Sequence, residues 1–155
     1  MLFRSTEIQS KTWEAASDGQ DVLGRARTGT GKTVAFLLPA IQQLFLRNET
    51  KTVQDQTKIQ MLVLSPTREL AAQIHDQSLK LTKGANAVIS HQCMFGGSSK
   101  TNDVTMLERK VPMILVATPG RIKDHIENTL IHGGKRSFKS LLSKVQILVL
   151  DETDR

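Results

Sequence analysis

Ala26-Arg27-Thr28-Gly29-Thr30-Gly31-Lys32-Thr33 decides how this sequence is read. A short strand over 21–23 runs into it, and a helix with a strongly apolar face, over 32–47, runs out of it. Glycines between a strand and a helix let backbone N–H groups and the helix N-terminus close around phosphates. In such a loop Lys32 reaches the terminal phosphates, and the Thr33 hydroxyl is placed for Mg²⁺. The strict form of the pattern begins with Gly, whereas Ala26 stands here. A flexible glycine turn with a solvated lysine is the competing reading, and the strand–helix setting weighs against it.

Outward from the loop, short apolar runs alternate with helical periodicity. A helix over 6–17 ends at Asp18-Gly19, ahead of the loop. After it, a polar loop over 48–58 leads to a buried strand over 60–64 and a helix over 68–81 closed by Lys83-Gly84. Strands follow over 87–94, 113–117 and 145–150, with helices over 103–109 and 121–128, and a basic loop surrounds Gly133-Gly134-Lys135-Arg136. Strands separated by helices predict an α/β fold: a mainly parallel sheet with helices on both faces. Ligands of such sheets bind at the carboxyl ends of the strands.

The last strand ends in Asp151-Glu152, as a Walker B sequence should. Adjacent carboxylates at a strand end can divide the labour of phosphoryl transfer. Asp151 holds the magnesium shell, while Glu152 orients and deprotonates the attacking water. An isolated Asp-Glu pair is more often a solvated loop; joined to a phosphate loop, it completes a nucleotide site.

Composition narrows the alternatives. With 155 residues, 39% hydrophobic and 23% charged, the chain is long enough for one globular domain. Its 21 basic residues against 15 acidic give +6, which favours polyanion partners but also fits a solvated basic surface. Cys93 is the only cysteine, so neither an internal disulfide nor a cysteine-pair zinc site can form. His75, His91, His125 and His132 lack ligand spacing. No apolar run approaches a membrane span, and the residues after Met1 do not form a secretory leader. A soluble intracellular protein is expected, with cytoplasm, nucleus, nucleolus and organelle matrix equally compatible. Aromatic residues are only 4%, with no Tyr, so any nucleic acid is held by its backbone rather than by stacked bases.

Two further junctions suit that grip. Ser65-Pro66-Thr67-Arg68 and Ala117-Thr118-Pro119-Gly120-Arg121 each join a strand to a helix. Such junctions offer backbone N–H groups, a hydroxyl and a guanidinium to an anion, although each alone is also an ordinary helix cap. Gly96-Gly97 lets another backbone approach closely.

In their order along the chain these segments resemble the first RecA-like domain of a DEAD-box ATP-dependent RNA helicase. Thr6-Glu7-Ile8-Gln9 resembles the Q motif, and ARTGTGKT resembles motif I, in which Ala is usual at the first place. Pro66-Thr67-Arg68-Glu69-Leu70-Ala71 resembles motif Ia, Gly96-Gly97 the GG motif, Thr118-Pro119-Gly120-Arg121 motif Ib, and Asp151-Glu152-Thr153-Asp154 motif II. The resemblance implies that Gln9 reads the adenine edge. It also implies that Thr28, Gly29, Thr30, Gly31, Lys32 and Thr33 bind ATP, with Thr33 and Asp151 on Mg²⁺. RNA would be held at Pro66, Thr67, Arg68, Gly96, Gly97, Thr118, Pro119, Gly120 and Arg121. Lys32, Asp151 and Glu152 would carry hydrolysis, which drives unwinding of RNA duplexes in the whole enzyme.

Departures from the family pattern set further expectations. Glu7 stands where Pro is usual, Thr153 replaces Ala, and the aromatic residue that stacks on adenine upstream of the glutamine is absent. The sequence ends at Arg155, before the Ser-Ala-Thr motif and its central strand. Residues 1–155 are therefore expected to be a partial first RecA-like domain. The second RecA-like domain, which would supply an arginine finger and half of the RNA clamp, is absent. By itself the piece should be marginally folded and should not unwind RNA. Two alternatives stand beside this reading: a truncated, non-catalytic nucleotide- or RNA-binding module, and another phosphate-loop enzyme. A GTPase is disfavoured, since neither Asn-Lys-x-Asp nor a following Asp-x-x-Gly occurs.

Overall fold

The computed structural model describes residues 5–27, 29–48, 57–84 and 89–152. Most of the polar loop, the start of the strand expected from residue 87, Thr28 and Thr153 lie outside the described residues. The chain divides into two compact units, 1–51 and 52–155.

The first unit is a pair of helices, α1 (Glu7–Ser17) and α2 (Lys32–Asn48), joined by a turn and the glycine loop. Thr6, with extended backbone, caps α1, and the carbonyl of Gln9's side chain accepts from the Thr6 N–H at 3.1 Å. Pro39 sits inside α2 and has no N–H for the carbonyl of Ala35 one turn earlier. The Thr12 hydroxyl of α1, which donates to Ile8 O at 2.8 Å, also lies 3.5 Å from that carbonyl, so α1 covers the gap the proline leaves. Gln43 Nε2 donates to Ser17 O, fastening the far ends of the two helices.

The strand expected over 21–23 is not formed. Residues 20–27 carry no ladder, Val22 is 43% exposed and Leu23 is 99% exposed. A strand needs a neighbour to take its N–H and C=O groups.

The second unit holds a parallel sheet of β1 (Met61–Leu64), β2 (His91–Met94), β3 (Ile114–Ala117) and β6 (Ile147–Leu150), in the order β2-β3-β1-β6. The register aligns Met61, Ile114, His91 and Ile147 on one face and Leu62, Leu115, Gln92 and Leu148 on the other. Helix α3 (Arg68–Leu81) covers the first face, its buried Ser78 donating to or accepting from His91 Nδ1 at 3.0 Å. On the second face a core of Leu62, Met94, Leu115 and Ala117 meets Leu107 of α4 (Lys100–Arg109) and Ile122 of α5 (Pro119–Asn128). Phe138 and Leu141 of the short α6 (Phe138–Leu141) complete it. Both interior strands are buried on both faces, as βαβ crossovers require.

The basic loop predicted around 133–136 is instead a small antiparallel hairpin, β4 (Leu130–Ile131) with β5 (Arg136–Ser137). Its turn passes through His132, Gly133 and Gly134, all with positive φ, a path that two consecutive glycines permit.

Candidate functional site

In the first unit the glycine loop is shaped from both sides. Gly29 and Gly31 have φ of +80° and +86°, the left-handed region open to glycine at no steric cost. The Thr30 hydroxyl donates to Arg27 O at 2.7 Å and closes the turn. Gly31 O then accepts both the Ala35 N–H at 3.1 Å, the first bond of α2, and Gln9 Nε2 at 3.3 Å. A Cβ on Gly31 would lie 2.5 Å from Gln9 Nε2. Gln9 thus ties the cap of α1 to the loop, a positioning role beyond the adenine contact that the resemblance implies. Lys32 and Thr33 open α2, where the helix N-terminus favours an anion. Around Gly29 nothing lies within 4 Å of where a Cβ would be, which leaves that side of the cradle open. These residues fit the phosphates of Mg²⁺-ATP.

A cavity of about 400 Å³ opens beside Gln9, lined by Ser10, Trp13, Val34, Ala35 and Leu38. The sequence reading missed Trp13, although it lies one helical turn from Gln9 and so shares its face.

In the second unit the remaining motifs gather at the carboxyl ends of the strands. Thr67 caps α3, its Oγ1 accepting from Leu70 N at 3.3 Å, and Pro66 precedes it in the junction from β1. Arg68 pairs with Glu69 at 2.9 Å, with both side chains largely exposed. Its Nη1 lies 3.5 Å from the position a Cβ would take on Gly97, whose φ is +89°. Motif Ia and the GG motif are therefore neighbours, with Gly96 leading into the same turn.

Thr118 and Pro119 begin α5, and Thr118 O accepts from the N–H groups of Arg121 and Ile122. Arg121, expected to offer its guanidinium to an anion, has partners for it within the protein. Nε donates to Asp103 Oδ2 at 2.8 Å, and Nη2 donates to Ser98 O at 2.6 Å and Ser98 Oγ at 3.1 Å. The pair is deeply buried, with side-chain exposures of 10% and 6%. The physical reason is a counter-charge on another helix: Asp103 projects from α4 and takes the guanidinium inward. Its Oδ2 also meets Nε2 of the fully buried His125 at 3.2 Å, and His125 Nδ1 contacts Thr129 Oγ1 at 3.0 Å. Arg121 thereby locks motif Ib to the loop after Gly97, which itself lies against Arg68.

Asp151 N donates to Leu64 O at 2.9 Å, continuing the β1–β6 ladder to the same end of the sheet. Glu152 follows with φ +51°, a left-handed conformation that is uncommon for a non-glycine residue and recurs at functional sites.

Two other titratable groups lie apart from these motifs. His91, enclosed by the hydroxyls of Ser78 and Thr82, is pushed down to about 4, first by burial and then by neighbouring His75. Burial, with Asp103 and Asp76 nearby, raises the Cys93 thiol to about 11, which makes it a poor nucleophile. Among the described residues no group of three or more His, Cys, Asp or Glu is placed to hold a metal ion. None of the described helices is long and apolar enough to cross a membrane.

The DEAD/DEAH box helicase family model matches residues 6–155. The chain is 43% identical over 152 residues to DEAD-box ATP-dependent RNA helicase 25 of Oryza sativa subsp. japonica, covering 98% of this chain and 24% of that protein. It is 40% identical over 152 residues to ATP-dependent RNA helicase DBP3 of Candida albicans, again covering 98% of this chain and 24% of the relative. A solved structure of the DEAD-box helicase Mss116 bound to ssRNA and UDP-BeF superposes with a TM-score of 0.80 at 31% identity, covering 97% of this chain and 28% of that one. The chain thus spans about a quarter of the length of these proteins.

Proposed function

This chain belongs to the DEAD/DEAH box helicase family, and we propose that it serves as the ATP-binding part of an ATP-dependent RNA helicase. The observation that carries the reading is the gathering of Arg68, Gly97 and the start of α5, tied together by Arg121 beneath them, at the strand ends where Asp151 and Glu152 also lie. A parallel sheet presents its ligands there.

In this reading the phosphate loop from Thr28 to Thr33 receives ATP, with the Lys32 ammonium against the terminal phosphates. The Thr33 hydroxyl and the Asp151 carboxylate would hold Mg²⁺, which neutralises charge on the phosphate oxygens. Glu152 accepts a proton from the water that attacks the γ-phosphorus, and ADP leaves. Gln9 and the cavity beside Trp13 receive the base. RNA lies across Pro66, Thr67, Arg68, Gly96, Gly97, Thr118, Pro119 and Gly120, held through phosphates without base readout. Arg121 acts there as a positioning residue. Strand separation requires a second RecA-like domain in the same protein, supplying the opposite half of the clamp and an arginine finger. The protein works in a soluble intracellular compartment.

The test is ATP turnover by the intact protein with RNA and with DNA as activators, for wild type and Lys32→Ala. RNA-stimulated turnover that Lys32→Ala abolishes is expected. Full RNA-stimulated activity in Lys32→Ala would overturn the assignment. Nucleotide binding without turnover in the wild type would favour a non-catalytic binding module.

A further inference from the structure

Between Glu127 and Asp151 the sequence carries Lys135, Arg136, Lys139 and Lys144 and not one acidic residue. The fold brings this stretch to Lys58. Lys58 and Lys144 each stand three positions before the first residue of β1 and β6, at the end of the sheet opposite Gly97, Thr118 and Asp151. Lys58 Nζ donates to Ser143 Oγ at 2.9 Å and to Ser140 O at 2.5 Å. Arg136 Nη2 donates to Thr57 O at 2.8 Å, and Nε donates to Ser140 Oγ at 3.3 Å.

Lys58 and Arg136 meet carbonyls and hydroxyls, which solvate a cation without neutralising it. Among the described residues no carboxylate pairs with any of the five, whereas Lys11, Arg68, Lys100 and Arg121 each have one. Burial, with Arg136 and Lys144 close by, pushes the Lys58 ammonium below the usual lysine range. An oxyanion placed among them would relieve that repulsion. Phe138 and Leu141 of the same stretch are fully buried, whereas Leu130 on the hairpin is exposed. What the patch offers beside its cations is chiefly hydroxyls and carbonyls, at Ser140, Ser143 and Thr57. A phosphodiester backbone needs only the charges.

We propose that Lys58, Arg136, Lys139 and Lys144, with Lys135 at the hairpin tip, form a second RNA-backbone contact at the end of the sheet opposite the motif surface. The inference rests on the reading of this protein as RNA-binding. Here RNA engaged at the strand ends continues around the domain, or a neighbouring segment of the same RNA docks there. Long RNA then binds more tightly, and with a steeper salt dependence, than RNA that covers the motif surface alone.

The test uses the intact protein and a variant carrying Lys135→Gln, Lys139→Gln and Lys144→Gln, three exposed side chains outside the hydrogen bonds that hold Lys58 and Arg136. Affinity is measured across a salt series for a short and a long single-stranded poly(U), and for polyglutamate. For long RNA the slope of log affinity against log salt should fall by about 2 in the variant, at roughly 0.7 per lost cation contact. Short RNA and nucleotide should bind as in wild type. An unchanged slope on long RNA overturns the proposal, as does equal weakening on short and long RNA. An unchanged RNA slope with lost polyglutamate binding assigns the patch to an acidic protein instead, and also overturns it. If wild type binds neither RNA, the functional reading itself has failed, a result distinct from indifference of the variant.

Discussion

Replacing Asp103 with alanine tests how the proposed RNA-facing surface is held. The carboxylate accepts from Arg121 Nε at 2.8 Å and meets His125 Nε2 at 3.2 Å, on side chains only 6%, 10% and 0% exposed for Asp103, Arg121 and His125. A pair at that depth has paid its desolvation, so removing one partner leaves an uncompensated charge. Such deletions cost about 3–5 kcal/mol. Arg121 keeps its two bonds to Ser98, which places the expected loss near the lower end, about 3 kcal/mol. In urea denaturation Asp103→Ala should lower the midpoint at constant slope. Arg121→Met should also destabilise, and the double variant should cost less than the two single losses added, by about 2 kcal/mol. Additive losses, or a cost for Asp103→Ala below about 1 kcal/mol, would refute the claim that this pair secures motif Ib to the GG loop. Arg121→Lys separates geometry from charge. A single ammonium cannot span Asp103 and Ser98, so RNA affinity should fall while nucleotide affinity holds.

His91 makes stability depend on pH. Its folded value, about 4, lies below the usual 6.5, so the unfolded chain takes up the proton first as pH falls through that window. Its stabilising contribution is intact above about pH 6.5 and is lost progressively towards pH 4, by less than roughly 3 kcal/mol because the ring is only partly buried. His91→Gln should flatten this slope in denaturation curves taken across that range. Gly31→Ala forces a left-handed φ of +86° and places a Cβ 2.5 Å from Gln9 Nε2. Nucleotide affinity should drop more than tenfold by fluorescence titration while the circular dichroism spectrum is preserved, and an unchanged affinity would count against the loop's role.

The parts of the fold written in local signals were legible. The bounds of α3 agree at both ends with the sequence reading, because Thr67 caps one end and Lys83-Gly84 closes the other. The parallel pairing of the strands followed from apolar runs separated by helices, whereas their order in the sheet did not. The strand expected over 21–23 failed because pairing is not a local property. Val22 and Leu23 are apolar enough to be a strand but have no ladder to join. The β4–β5 hairpin escaped notice because two-residue strands carry no periodicity. For the site, glycine spacing and the Asp-Glu strand end were visible from residues alone. The inward turn of Arg121 was not, since its partner Asp103 lies on α4 and no spacing between separate helices announces an ion pair.

In the proposed function Glu152 activates water for RNA-coupled ATP hydrolysis. That role is tested most directly by comparing RNA-stimulated phosphate release from the intact protein with that from Glu152→Gln. Wild type should show RNA-dependent turnover, and the variant should lose turnover while retaining Mg²⁺-ATP and RNA binding. Wild-type turnover in Glu152→Gln would contradict that role.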